Sequence, residues 1–431
     1  MKDRDDIKAL LEGILSRVTA PLAEAQYYYH SSLATRFAEN AITQNMSGEE
    51  EHLRLVVAYG NRHGSSITNK SDAASIVNLV ERAEDIANSS PEDPEYMPPA
   101  RPQTYPGMPK RYYEDVAWLT PADLAGEIEE TVRTAKTVDY RASGLYEASY
   151  ATIAIANSEG LFAFDQVSNL NYSTTMHGPL GSGYSSQNGE SLAQVSAGSM
   201  TSEALETASA AQNPRALEPG EYTVILEPQA VLDFLEFFVW NMNARDADEG
   251  TTVFAGKVGE RLYSDKVNLE TRIDDTELPA PPFGQDSLAA RHTVWVENGI
   301  VRRLRHDRFW AREKGADPDP LLYPLFMDGQ DQSVADLIAQ CEKGLLVKRL
   351  WYIRYVDRKE LLLTGMTRDG LFLLEGGKIV GPAKNLRFNE SPVVFLRNVV
   401  AMSRPERVGN LAKVPAIMSE GFTFSSETES V

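Results

Sequence analysis

Residues 219–243, PGEYTVILEPQAVLDFLEFFVWNMN, join a strand-like run to an apolar helix-like run and divide the chain into two differently built halves. GEYTVILEP alternates and carries β-branched residues, so it reads as a strand. QAVLDFLEFFVWNMN reads as a helix, and within its LEFFVW core (235–240) the one charged residue is Glu236. That carboxylate has two readings. Either the helix keeps a solvent-facing side, or Glu236 is what remains of a catalytic helix.

Downstream of this helix the sequence is mostly strand-like: TVFAGKVGERLYS (252–264), HTVWVENGIVRRL (292–304), LLVKRLWYIRYVD (345–357), KELLLTGMTRDGLFLLEGGKIV (359–380) and AIMSEGFTFSS (416–426). Upstream the pattern is mixed. Apolar Ile7, Leu10, Leu11, Ile14 and Val18 form a helical stripe. Four strand-like segments follow, at 25–32, 34–45, 51–61 and 63–69, separated by short polar or glycine-bearing breaks as in a meander. Ser71–Asp72 caps a helix over 74–88, and Thr120 caps another, with Pro121 in its first position and Asp123 in its first turn. ASYATIAIANSEGLFAFDQVSNLNYSTTM (148–176) is a hairpin pivoting on Asn157–Gly160, and 200–213 is a further helix. Residues 89–113 hold seven prolines and form a surface loop or interdomain strap. Residues 178–191, GPLGSGYSSQNGES, read as a mobile glycine/serine loop. The expectation is an α+β chain: a mixed α/β N-terminal domain over 1–215, then a β-rich, barrel- or sandwich-like domain over 216–431.

Charge and composition bound the function. Forty-two basic and 62 acidic residues give a net charge of −20, which repels phosphate backbones and anionic membranes. No nucleic-acid or membrane partner is expected. No apolar run approaches the roughly 18 residues a membrane helix needs, and the N-terminus (Asp3, Asp5, Asp6) lacks a signal-peptide core. The chain reads as cytoplasmic. Cys341 is the one cysteine, so neither a disulfide nor a cysteine metal cluster is available; it lies on an apolar stripe and reads as a buried structural thiol.

The search for a reaction centre finds little. The six histidines (His30, His52, His63, His177, His292, His306) form no close pair of metal-ligand spacing. There is no Gly-x-Ser-x-Gly elbow, no P-loop and no dinucleotide fingerprint. The acidic run DADEG (246–250) lacks EF-hand spacing and reads as a solvated loop. Strand-borne aromatics such as Tyr27, Tyr28, Tyr29, Trp351, Tyr352 and Tyr355 read as core or sheet surface. His177, beside the glycine-rich loop, is the best single residue for an enzyme of another kind.

Two stretches add a resemblance. TTVFAGKVGERLYSDKVNLETRIDD (251–275) and LLLTGMTRDGLFLLEGGKIVGPAKNLRFNESPVVFLRNVV (361–400), with weaker matches at 35–45, near the end of the capped helix and at 156–160, resemble the TldD/PmbA family of peptidase-related proteins. The resemblance implies two member types. TldD-type chains carry a His-Glu-x-x-x-His helix and a later cysteine that hold a catalytic metal; PmbA (TldE) chains lack these and pair with a TldD-type chain. Counting back from Val253, the motif's first histidine position is Leu235, its glutamate Glu236 and its second histidine Trp240. The later cysteine is also missing, since residues 396–420 contain none. The resemblance therefore implies a degenerate site at Leu235, Glu236 and Trp240, packed rather than metallated, with no metal or other cofactor in this chain and zinc in a partner subunit. It implies a non-catalytic, peptide-binding subunit paired with a TldD-like chain and acting on an unfolded peptide, with a stand-alone homodimeric peptide-binding scaffold as the alternative.

Overall fold

The computed structural model describes residues 2–284 and 286–428. Its N-terminal half is a six-stranded sheet with helices on one face. In chain order it comprises α1 (Arg4–Leu15), β1 (Leu22–Ala38), β2 (Ala41–Tyr59), β3 (Arg62–Thr68), α2 (Ala73–Ser89), α3 (Glu114–Ala117), α4 (Pro121–Thr137), β4 (Arg141–Asn157), β5 (Phe162–His177), β6 (Ser182–Gly189) and α5 (Ala197–Ala210). Strand order is β3-β2-β1-β4-β5-β6, antiparallel throughout. The helices start where their caps dictate. Asp72 accepts from the Ser75 amide at 3.0 Å, and Thr120 and Asp123 form a reciprocal capping box behind Pro121. Ile7, Leu11 and Ile14 of α1 are buried on the sheet, as are Leu79, Val80 and Ala83 of α2.

Three sequence expectations are corrected here. The segments 25–32, 34–45 and 51–61 form two long strands, not three short ones. The turn lies inside 34–45, where Glu39 and Asn40 take φ of 51° and 60°, the paired left-handed geometry of a tight hairpin. Residues 178–191 are no mobile loop: most of them form β6, paired with β5 from Leu170↔Gly189 to His177↔Ser182. Its glycines serve close packing. A Cβ on Gly183 would stand 2.2 Å from the Ala204 carbonyl oxygen of α5, so only glycine lets helix and strand approach this closely. Finally, TVFAGKVGERLYS (252–264) contains no strand; Gly256 and Gly259 adopt φ of 69° and 89° and bend it into successive turns.

The C-terminal half holds β7 (Gly220–Leu226), α6 (Pro228–Trp240), α7 (Ala244–Asp248), β8 (Leu269–Thr271), β9 (Thr293–Glu297), β10 (Ile300–Val301), α8 (Arg308–Lys314), β11 (Leu325–Met327), α9 (Val334–Gln340), β12 (Lys343–Asp357), β13 (Leu362–Glu375), β14 (Lys378–Pro382), β15 (Leu386–Glu390), α10 (Pro392–Arg397), β16 (Val399–Val408) and β17 (Ala412–Glu427). Part of the DADEG run is thus helical, as α7. The eleven strands form one sheet, and β17-β15-β13-β12-β7 closes on itself because β17 also pairs with β7. The β-rich half is thus barrel-like. Closure removes sheet edges that would otherwise stay unpaired. Helix α6 packs on β12, β17 and α10.

The proline-rich strap joins the halves. Arg245 forks onto the Glu95 carboxylate at 2.9 and 3.0 Å, Arg308 donates to the Pro98 carbonyl at 2.7 Å, and the Tyr105 hydroxyl donates to the Ser287 carbonyl at 2.8 Å.

Candidate functional site

Helix α6 begins at Pro228, whose fixed φ suits the first helical position. Its apolar side is anchored by Phe234, whose ring meets Phe388, Phe395 and Phe422 at 5.7–5.8 Å. Phe238 meets Phe254 and Tyr263 at 5.4 and 5.5 Å, so the turns of 252–264 wrap the end of this helix. Asp233 is half-buried on the same helix. Its carboxylate accepts from Gln229 Nε2 at 2.8 Å and from the Leu350 amide at 3.0 Å, and burial raises its pKa to about 7.

The three motif positions behave differently from one another. Leu235 is fully buried in the main core. Trp240, expected to be packed, is 53% exposed, with its ring 5.1 Å from that of Phe237. The helix period explains the difference: positions five apart lie about 140° apart around the axis, so Leu235 and Trp240 do not face one pocket. Glu236 is half-buried, and burial raises its pKa. Among the described residues nothing hydrogen-bonds or ion-pairs with it. Tyr323 lies near it; burial first, and Glu236 second, push that phenol up to about 12. Neither leucine nor tryptophan offers zinc a lone pair, so the residues at this position do not fit the metal that the motif would hold. Among the described residues no group of three or more His, Cys, Asp or Glu side chains is placed to hold a metal ion. His30 and His52 both flank Tyr28, with ring centres 6.2 and 4.8 Å from its own, and Cys341 is buried in a separate core cluster around Leu337, Phe372 and Met418.

A concavity lies elsewhere, where the two halves meet. It is a cleft of about 450 Å³. Tyr184, Ser185, Ser186, Gln187 and Asn188 of β6 line it consecutively. Side chains of successive strand residues point to opposite faces, so five in a row means that the cleft runs along the strand's edge. β6 is the last strand of its sheet and pairs with β5 alone. The opposite wall comprises the start of α6 (Glu227 to Gln229), Lys348 and Arg349 of β12, and Glu406 and Arg407 of β16. Leu235 lies about 10 Å further along α6. The Arg349 guanidinium stacks 3.8 Å from the centre of the Tyr184 ring and binds Asp369 at 3.0 Å, while the Ser182 hydroxyl donates to Asp369 at 2.7 Å. These contacts fix the end of β6 to the barrel.

A second concavity collects His177, Arg141, Ser182, Asp369 and Lys384. His177 Nε2 sits 3.0 Å from Ser143 Oγ, and burial lowers its pKa, which keeps the imidazole neutral near pH 7. No acidic side chain hydrogen-bonds the other ring nitrogen among the described residues, so the pair lacks the third group that orients a nucleophile's base.

Residues 219–426 match the model of the PmbA/TldA metallopeptidase C-terminal domain, and residues 23–87 that of PmbA/TldA metallopeptidase domain 1. The chain belongs to the PmbA/TldD family. It is similar to a metalloprotease of Archaeoglobus fulgidus, 26% identical over 148 residues, which are 31% of this chain and 34% of that protein; the match thus spans about a third of that relative. Among solved structures it resembles TldE from Thermococcus kodakarensis (TM-score 0.88, 17% identity, covering 97% of this chain and 99% of the other). It also resembles a proposed modulator of DNA gyrase from Bacteroides thetaiotaomicron (TM-score 0.89, 19% identity, 99% and 100%). At these identities the structures speak for the shared fold. Among the described residues of this PmbA/TldD-family chain no helix is long and apolar enough to cross a membrane.

The cleft escaped the sequence reading. Its acidic and basic residues are scattered from Glu203 to Arg407 and share no motif. The run SGYSSQNG (182–189) shows no apolar/polar alternation, so β6 had no strand signal to set against its glycines.

Proposed function

We propose that this chain is a non-catalytic, peptide-binding subunit of a PmbA/TldD-type metallopeptidase, paired with a chain that carries the complete metal-ligand set. The observation that carries the reading is α6: a core leucine and a half-exposed tryptophan occupy the two positions that the family resemblance assigns to imidazoles. In a chain with the full motif, two histidines hold the metal and the glutamate takes a proton from the bound water. Here Glu236 has no such water to act on. The TldE-like fold supports assignment to the partner type without the motif.

The free edge of β6 supports the peptide-binding part. An extended peptide laid along it would extend the sheet through main-chain hydrogen bonds, a mode that tolerates many sequences. This chain would then contribute binding and selection, and its partner bond cleavage.

The test is purification with and without a family member that carries His-Glu-x-x-x-His. The expected result is a one-to-one complex on co-expression, and less than about 0.1 zinc per chain when this protein is purified alone. Stoichiometric zinc in the isolated chain, or metal-dependent hydrolysis by it, overturns the reading. A stable homodimer that ignores the partner would instead favour the stand-alone scaffold.

A further inference from the structure

The cleft along β6 carries an unbalanced set of charges. Its other charges are matched around the rim: Asp369 is met by Arg349 and, at 3.6 Å, by Arg368; Arg407 pairs with Glu190; and Lys413 is shared by Glu277 and Asp275. What remains is Glu203, Glu227 and Glu406 around one ammonium. Lys348 Nζ lies 3.2 Å from Glu227 and 3.8 Å from Glu203. The Glu406 carboxylate has no ion pair or hydrogen bond among the described residues. Three carboxylates sharing one cation leave a formal charge of −2 on the cleft wall, with Glu203 and Glu406 exposed and Glu227 half-buried. The carboxylates sense one another there: burial and then Glu203 raise the Glu406 pKa, and burial raises Glu227 despite Lys348.

The geometry separates the charge from the strand edge. The Ser185 hydroxyl, on β6, donates to Glu203 at 2.7 Å and aims that carboxylate across the cleft. A peptide on the β6 edge would pass its side chains in front of Glu203 and Glu406. A metal ion does not fit, because these carboxylates do not form a group that could hold one. An ammonium or guanidinium on a long side chain does fit. It reaches several carboxylates at once, and its aliphatic stem can lie against Tyr184 and Met200.

Resting on the peptide-binding reading above, we propose that this cleft selects a lysine or arginine side chain at one position of the bound peptide, with Glu203, Glu227 and Glu406 as its specificity residues. The selection is electrostatic, so it weakens as ionic strength rises.

The experiment uses the full chain and three fluorescent ten-residue peptides of serine, threonine and alanine, carrying a central arginine, citrulline or glutamate. Fluorescence anisotropy should rank arginine about tenfold above citrulline, and glutamate weakest. Glu203 and Glu406 are solvent-facing, so E203Q/E406Q should fold normally; it should bind the arginine and citrulline peptides within about twofold of each other. Equal binding of the three peptides by the parent protein overturns the selectivity and leaves the strand-edge reading intact. An undiminished arginine preference in E203Q/E406Q overturns the assignment of these residues. Binding of none of the peptides overturns the edge reading and the selectivity with it. Free agmatine that binds as tightly as the arginine peptide overturns a peptide as the occupant.

Discussion

At the scale of the residue, the α6 positions separate sequence register from environment. Counting along the chain placed Leu235, Glu236 and Trp240 together because they are near in sequence. The helix sends the first into the core and leaves the last half exposed, a difference that a linear alignment does not display. Leu235→Ala should cost 2–5 kcal/mol in urea unfolding, and Trp240→Ala less than about 1 kcal/mol; equal losses would contradict the assigned environments. Asp233, which nothing in the sequence pattern singled out, is strongly perturbed. The folded chain holds its proton up to about pH 7, whereas an unfolded aspartate releases it near pH 3.9. Between those values the folded state binds more protons, so this group's favourable contribution is full below about pH 4 and is lost as pH rises toward 7. Asp233→Asn, fixed neutral, should show a flatter stability profile from pH 4 to 7 and be the more stable protein at pH 8, by on the order of a few kcal/mol. Superimposable profiles would sink this account of Asp233.

Among the elements, those with local instructions were legible. Asp72 and Thr120 cap the helices that they were read to cap, and Asn157–Gly160 turns the hairpin between β4 and β5. Misreadings fell where glycine has more than one use. In β6 glycine permits a close helix, in 252–264 it makes turns, and neither use follows from composition. Two substitutions separate these roles. Gly183→Ala would press a Cβ against α5 and should destabilise by about 1–3 kcal/mol. Gly198→Ala, inside α5 with nothing within 4 Å of the added atom, should stabilise by about 0.5–1 kcal/mol. Thermal melts of the two variants should move in opposite directions. A neutral Gly183→Ala would return 178–191 to the status of a loop.

At the scale of the whole molecule, the division into a mixed half and a β-rich half was readable from the order of elements, and the family from the order of motifs. Closure of β17 onto β7 and the cleft between the halves were not, because both depend on contacts between residues far apart in the chain. The central claim is that this chain serves a reaction carried out elsewhere. Its most direct measurement is peptide hydrolysis by the complex with a partner that carries His-Glu-x-x-x-His, comparing Glu236→Gln in this chain with the motif glutamate→Gln in the partner. The account predicts that Glu236→Gln leaves the rate within about twofold, whereas the partner substitution lowers it by at least about a hundredfold. Loss of hydrolysis on Glu236→Gln, with the partner's glutamate dispensable, would place the chemistry in this chain and contradict the account.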